Sequence, residues 1–208
     1  MGFTLLELLV VVAIIAVLCA VLVPSVGRAK LKAKIVAVHS DLRQITVALA
    51  MYAQCNANAL PPTRLSCASR APFELPPELA QGNYLPVTEQ NTVTKVNFFD
   101  RFQPTTQYCY RAPGPSIVNE YTLNPTGATL YVPNDYPACA SSAGMYYNDP
   151  KVSPVRYAVW SVGPDVNSPK FAIPGRAPVP NSYWCNGAWD AGVITHILGT
   201  NDIMVTSP

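Results

Sequence analysis

The chain has 208 residues, of which only 12% are charged, about half the roughly 25% usual in soluble domains. Its net charge of +2 gives no strong electrostatic reason to expect a nucleic-acid partner. Hydrophobic residues make up 50% of the chain and are concentrated in the first 26 positions, whereas the 21 prolines fall almost entirely later. This distribution predicts an apolar rod followed by a turn-rich body.

The apolar rod begins with a run from Phe3 to Val23 whose single charge is Glu7. As a helix this run would extend about 31 Å, which matches a hydrocarbon core of roughly 30 Å. It is longer than the apolar region of a secretory signal peptide, which is the alternative interpretation. We therefore interpret the run as a transmembrane helix.

Beyond the apolar run, hydrophobic residues recur at alternating spacings of four and three, which is typical of an amphipathic helix. Such a face usually packs against the chain's own domain, and a self-standing coiled coil is the alternative. Asn56, Asn58 and the prolines that follow should end the helix, giving a rod of roughly 80 Å. The residues of this face are Leu31, Ile35, Val38, Leu42, Ile45, Leu49 and Tyr52.

The first residues, GFTLLELLVVVAIIAVL, closely resemble the class III signal of type IV pilins and type II secretion pseudopilins. The resemblance implies that a prepilin peptidase cleaves after Gly2 and methylates the new amino terminus, Phe3. It also implies that Glu7 is the residue required for assembly, since a carboxylate this deep in a membrane span is otherwise rare. The basic leader that is usual in this family is not matched, because only Met1 precedes Gly2.

Three segments of the body resemble major pseudopilins more weakly. The segment 100–114 is similar to their "DPWGxxYxYxxPG" stretch, with Phe102 where tryptophan is usual. The segment 157–165 resembles their "YxxxSxGxD" strand and turn, and 199–203 resembles their closing "GDI". The chain is thus closest to the major pseudopilin of type II secretion systems. This implies a helical homopolymer built at an inner-membrane assembly platform.

The body should form a small antiparallel sheet with long loops, because short β-rich runs alternate with proline, glycine and asparagine. We expect an α+β protein with the long helix packed across this sheet. The predicted units are 1–2 (leader remnant), 3–26 (transmembrane and assembly helix), 27–58 (amphipathic continuation) and 59–208 (β-rich body). Residues 61–86 and 164–180 are too proline-rich for regular structure. The predicted strands are 93–99, 108–111, 129–132, 157–162, 193–197 and 203–206.

Two features mark the end of the membrane span. Pro24 cannot donate a backbone hydrogen bond, which predicts a kink or local loosening of the helix. Such a kink is either a harmless feature or a point that lets subunits repack in a filament. The basic residues from Arg28 to Lys34 would place the body in the cytoplasm by the positive-inside rule, whereas the cysteines favour an oxidising compartment.

Six cysteines are present, and Cys19 lies inside the apolar run. The others form no CxxC pair and the chain has two histidines, so disulfides are favoured over a zinc site. We predict a disulfide between Cys55 and Cys67 that clamps the end of the helix to the following loop. Pairing among the remaining cysteines is left open: Cys109, Cys139 and Cys185.

Candidate chemistry in the sequence is sparse, and neither histidine lies in a recognisable catalytic motif. We therefore expect that the chain is not an enzyme. Oxygen ligands from Asp165, Asn167 and Asp202 would suit calcium, and the resemblance to major pseudopilins favours this site. An ordinary Gly-Pro-Asp-x-Asn turn is the alternative. No other cofactor is expected.

The sequence favours a structural filament subunit that is stored in the inner membrane and becomes periplasmic or extracellular on assembly. The expected partners are further copies of the chain, a prepilin peptidase, the assembly platform and membrane lipid, but not nucleic acid. The alternative is a membrane-tethered binding protein: a minor pilin, an adhesin or a receptor for secretion substrates. Glu7 argues against a capping role, because tip-like minor members of the family commonly lack this glutamate.

Overall fold

The computed structural model describes residues 4–65, 73–90, 93–119, 122–137, 143–165, 177–186 and 192–208. One continuous helix, α1, runs from Leu5 to Cys55, as the apolar run and the periodicity predicted. Asn56 caps the carboxyl end, and Ala57 and Asn58 adopt positive φ angles of 52° and 64°. Asparagine tolerates the left-handed region better than most residues, so the chain can turn sharply out of the helix here.

Within the described residues, twelve short strands and two short helices follow α1. The helices are α2, Glu78–Gln81, and a single turn of 3₁₀ helix at Asn181–Tyr183. The strands are β1 (Thr63–Leu65), β2 (Phe73–Glu74), β3 (Val87–Gln90), β4 (Val93–Val96), β5 (Cys109–Arg111), β6 (Gly114–Val118), β7 (Thr122–Ala128), β8 (Leu130–Val132), β9 (Met145–Tyr147), β10 (Val155–Ser161), β11 (Ile194–Gly199) and β12 (Met204–Thr206).

The sheet that carries the helix is fully antiparallel, with the strand order β12-β11-β10-β5. Its central strands pair from Ser161 opposite Ile194 to Val155 opposite Gly199. All six β-rich runs found in the sequence contain a strand, and four of these strands form this sheet. The α+β class and the antiparallel sheet are therefore confirmed.

A second four-stranded sheet, with the order β2-β1-β6-β7, was not predicted. It is mixed, because β1 runs parallel to β6 while the outer pairs are antiparallel. The expectation that residues 61–86 are irregular was wrong, since this stretch contains β1, β2 and α2. These elements are two to four residues long and fit between the prolines. Two hairpins, β3–β4 and β8–β9, complete the described strands.

The central sheet is covered on both faces. On one face Tyr157 and Val159 pack against the amphipathic half of α1, where Val38, Leu42 and Ile45 are fully buried. On the opposite face, alternate residues of the same strands join a second core with Leu130 and Val132 of β8. The prediction that the apolar face of the helix packs on the body is confirmed: Val38, Leu42, Ile45 and Leu49 are buried, and Ile35 and Tyr52 are partly buried at its edge.

Candidate functional site

The amino-terminal half of α1 projects from the body as a bare apolar helix. Every residue from Thr4 to Lys30 is exposed, including Leu5 at 82% and Val21 at 70%. The helix is long and apolar enough to cross a membrane, and none of its most apolar 18-residue window is buried. Soluble monomers rarely expose a continuous apolar surface of this size. An exposed apolar surface of this size is typical of a segment that contacts lipid or other protein.

Glu7 lies near the start of this bare helix and forms a capping box with Thr4. The Glu7 Oε2 atom accepts hydrogen bonds from the Thr4 backbone N–H at 2.9 Å and from the Thr4 hydroxyl at 2.7 Å. In return, the Glu7 backbone N–H donates to Thr4 Oγ1 at 3.3 Å. These contacts satisfy amides that a helix start otherwise leaves without partners. This role was not predicted, although the pattern Thr-x-x-Glu before an apolar run indicates a capping box.

Pro24 lies inside α1, and the helix continues through it on both sides. Because proline has no N–H group, the carbonyl of Ala20 loses its usual intrahelical partner. A side-chain carbon added at Gly27 would meet no atom within 4 Å, so the helix is open on that side. The structure thus confirms the interior position of Pro24, while the kink itself stays a prediction.

The helix is joined to the body by a polar contact around Asp41, which is only 5% exposed. Arg101 holds both carboxylate oxygens, with Nε donating to Oδ2 at 2.5 Å and Nη2 donating to Oδ1 at 2.9 Å. The hydroxyl of Tyr108 donates a third hydrogen bond to Oδ2 at 2.7 Å. Burial and the Asp41 carboxylate raise the pKa of Tyr108, so the phenol stays protonated as a donor. This cluster fixes α1 to the loop that precedes β5.

The same loop is fixed to the end of β10 through Asp100, which is 1% exposed. Asp100 Oδ1 accepts from the Phe102 amide at 2.8 Å and from the Ser161 hydroxyl at 2.9 Å, and Oδ2 accepts from the Val162 amide at 2.8 Å. Burial raises the pKa of Asp100, although these hydrogen bonds favour its charged form. Two body segments that resemble pseudopilins, 100–114 and 157–165, therefore meet at this carboxylate.

The two histidines of the chain also meet between helix and sheet. His39 Nδ1 on α1 lies 3.1 Å from His196 Nε2 on β11. Burial, followed by the nearby His39 and Arg43, lowers the pKa of His196 to about 4. Burial also lowers the pKa of His39, whose ring hydrogen-bonds the backbone of Pro208. This contact was not predicted, because the two histidines are 157 positions apart in the sequence.

The predicted calcium ligands are not brought together. Asp202 lies in the turn after Gly199, which pairs with Val155, the first residue of β10. Asp165 lies four residues beyond Ser161, at the other end of β10. These two ends of the strand are about 20 Å apart. The Asp202 carboxylate lies instead 3.6 Å from the guanidinium of Arg156. Asn167 falls outside the described residues, and within them no group of three acidic, histidine or cysteine residues could hold a metal.

Gly2 and Phe3, at the expected processing site, and Cys67 lie outside the described residues. Cys55 is exposed at the end of α1 and is not bonded to another cysteine among the described residues. The disulfide clamp between Cys55 and Cys67 therefore stays a prediction.

Residues 2–23 match the family model described as the prokaryotic N-terminal methylation motif. The chain carries a type IV pilin-like amino terminus. The matched segment contains Glu7, all of the bare helix up to Val23, and the expected cleavage site after Gly2. No curated protein and no solved structure matches the chain significantly. The exposed apolar helix that contains this motif fits a membrane anchor.

Proposed function

We propose that this pilin-like chain is the structural subunit of a type IV pilus-like or type II secretion pseudopilus filament, and that it is not an enzyme. The observation that carries the proposal is the bare apolar helix with Glu7, which lies within the methylation motif and projects from a folded body. Subunits would be stored in the inner membrane, cleaved after Gly2 by a prepilin peptidase and methylated on Phe3. They would then assemble at an inner-membrane platform into a helical polymer in the periplasm or outside the cell.

Two successive environments would cover the bare helix. Before assembly it would lie in lipid, and after assembly the helices of other copies would surround it. Both environments have a low dielectric constant, in which an uncompensated carboxylate is unfavourable. Glu7 therefore needs a cation in either setting, and no lysine or arginine lies in the apolar run.

The amino group that cleavage would create on Phe3 is the nearest candidate cation, and methylation keeps its charge. The hydrogen bonds from Thr4 reach only Oε2 of Glu7, and among the described residues Oε1 accepts none. Oε1 is thus available to a cation while the capping box stays intact. The amine could belong to the same chain or to a neighbour, in which case it would set the axial register of the polymer.

The experiment compares membrane pools and sheared filaments of the wild type with three variants. Glu7→Gln removes the charge but keeps an oxygen that can accept from Thr4, and Glu7→Ala removes both. Thr4→Ala keeps the charge and loses the cap, which costs about 1 kcal/mol of helix stability. We expect all variants to enter the membrane, because the two Glu7 changes lower an insertion cost of roughly 2.5–3.5 kcal/mol and Thr4→Ala leaves that cost unchanged. Only Thr4→Ala should still form filaments.

Wild-type filament levels in both Glu7 variants would show that the charge has no role in assembly. Loss of filaments in Thr4→Ala alone would assign Glu7 to helix capping instead. If the wild type inserts but is recovered only as single subunits bound to other proteins, the membrane-tethered binding protein becomes the better description. The closeness to a major pseudopilin rests on the sequence resemblances in the body. Cargo secretion that depends on this chain would test it.

A further inference from the structure

Four basic residues lie within seven positions of α1, beyond the apolar run that ends at Val23: Arg28, Lys30, Lys32 and Lys34, here called the basic collar. The first three are exposed, and Lys34 is half-buried with Nζ 4.6 Å from the ring centre of Phe102. None of the four forms an ion pair in the part of the chain that the structure describes. The ion pairs found there join Arg64 to Glu78, Arg101 to Asp41 and Arg156 to Asp202.

The collar lies at the height where lipid headgroups are expected. At 1.5 Å per residue, Arg28 is about 8 Å and Lys34 about 17 Å beyond Val23, the last residue of the apolar run. Headgroups extend roughly 5–8 Å beyond each side of the hydrocarbon core. Side chains on a helix lean toward its amino terminus, which here points into the membrane. The long basic side chains can therefore reach back to the headgroup layer.

The collar also surrounds the helix. Arg28 and Lys32 are four residues apart on one face, and Lys30 and Lys34 share the nearly opposite face. Like charges at this spacing repel each other, so each pair needs a counterion. The nearest acidic residue on the helix is Asp41, which is already bound by Arg101. A folded partner would present acidic groups from one side, whereas a lipid leaflet presents phosphates on every side.

We propose that the basic collar binds the phosphates of anionic lipid headgroups in the leaflet on the side of the body. This proposal rests on the membrane-anchored stage of the proposed function. It names the class of lipid that the subunit would bind before assembly. The collar would fix the depth of the helix, with the apolar run in the hydrocarbon and the body beyond the headgroups. Lipid binding would then explain the basic residues beside the span without placing the body in the cytoplasm, as the positive-inside rule would.

The test uses the full chain in nanodiscs of equal phosphatidylglycerol and phosphatidylcholine, followed by native mass spectrometry of the lipids that stay bound. Each cation near an anionic surface contributes roughly a fivefold preference. The wild type should retain phosphatidylglycerol preferentially, and Lys30→Gln with Lys32→Gln should lower that preference on the order of tenfold or more. The matched control replaces two exposed body lysines, Lys95→Gln with Lys151→Gln, and should behave as the wild type.

Equal retention of both lipids by the wild type, or an unchanged preference in the collar variant, would overturn the proposal. If the collar variant keeps its lipid preference and fails to assemble, the cations contact another copy of the chain and the lipid assignment is wrong. Measuring sheared filaments from the same strains distinguishes failure of the filament proposal from failure of the lipid proposal. A wild type that prefers phosphatidylglycerol but forms no filaments would refute the filament alone.

Discussion

The contact between His39 and His196 should make the stability of the body depend on pH. The folded chain keeps His196 neutral, because burial and the nearby His39 and Arg43 lower its pKa from 6.5 to about 4. An unfolded chain would protonate the same ring below pH 6.5. Between these two values the unfolded state binds more protons, so the free energy of unfolding must fall as the pH is lowered.

The size of the effect follows from the difference between the two pKa values. A difference of about 2.5 corresponds to about 3 kcal/mol. The His196 side chain is only 4% exposed, so solvent screening should reduce this little. The stabilisation that depends on neutral His196 is fully present above pH 6.5. It is lost as the pH falls through the pKa of His196 in the folded chain, near 4. At pH 4.5 about 2.5 kcal/mol of it should already be gone.

The assay is denaturant unfolding of the detergent-solubilised chain at pH 7.5 and pH 4.5, for the wild type and His196→Gln. The variant loses a hydrogen bond worth about 1 kcal/mol at both pH values, so the informative quantity is the change with pH. Carboxylates that titrate in this range are common to both proteins and cancel in the comparison. We expect the wild type to lose about 2.5 kcal/mol more than the variant. Equal losses would refute the reasoning.

Three further predictions concern other parts of the chain. Intact-mass analysis of membrane-extracted protein should find a chain that begins at Phe3 with a methylated amine; retention of the first two residues in filaments would contradict processing. Asp41→Ala should cost about 1–3 kcal/mol of stability, since it removes the bidentate contact with Arg101, and an unchanged urea midpoint would contradict this role. Non-reducing peptide mapping should recover Cys55 linked to Cys67, and an alkylated Cys55 would rule out the clamp.

The long helix could be predicted because its signals are local. Uninterrupted apolar composition identified the first half, and the recurrence of apolar residues identified the buried face from Val38 to Leu49. Residues beyond the helix offered no such repeat. Gly114 and Pro115 are both unfavourable in a regular strand, yet they begin β6, whose ladder with β7 shifts between Gly114 and Ser116. A bulge is one of the few places where a sheet accommodates proline.

The contacts that fix the helix to the body could not be predicted, because they join residues far apart in sequence. Asp41 binds groups about 60 positions away, and nothing near the aspartate distinguishes it from an ordinary exposed acid. The long-range pairing of the histidines depends in addition on the register of β11. Calcium was predicted from residue types and from the resemblance to major pseudopilins, neither of which reports the strand register that separates Asp165 from Asp202.

Pro24 has a mechanical consequence that follows from where the helix first meets the body. From Pro24 the helix runs exposed to Lys30, and its first fully buried residue is Val38. The body is therefore attached to the helix well beyond the proline. Leu49 is 25 residues further along, about 38 Å at 1.5 Å per residue. A bend of about 20° at the proline would therefore displace this part of the body sideways by about 13 Å. If the predicted kink forms, one missing hydrogen bond would let the body of a membrane-anchored copy sample a wide lateral area.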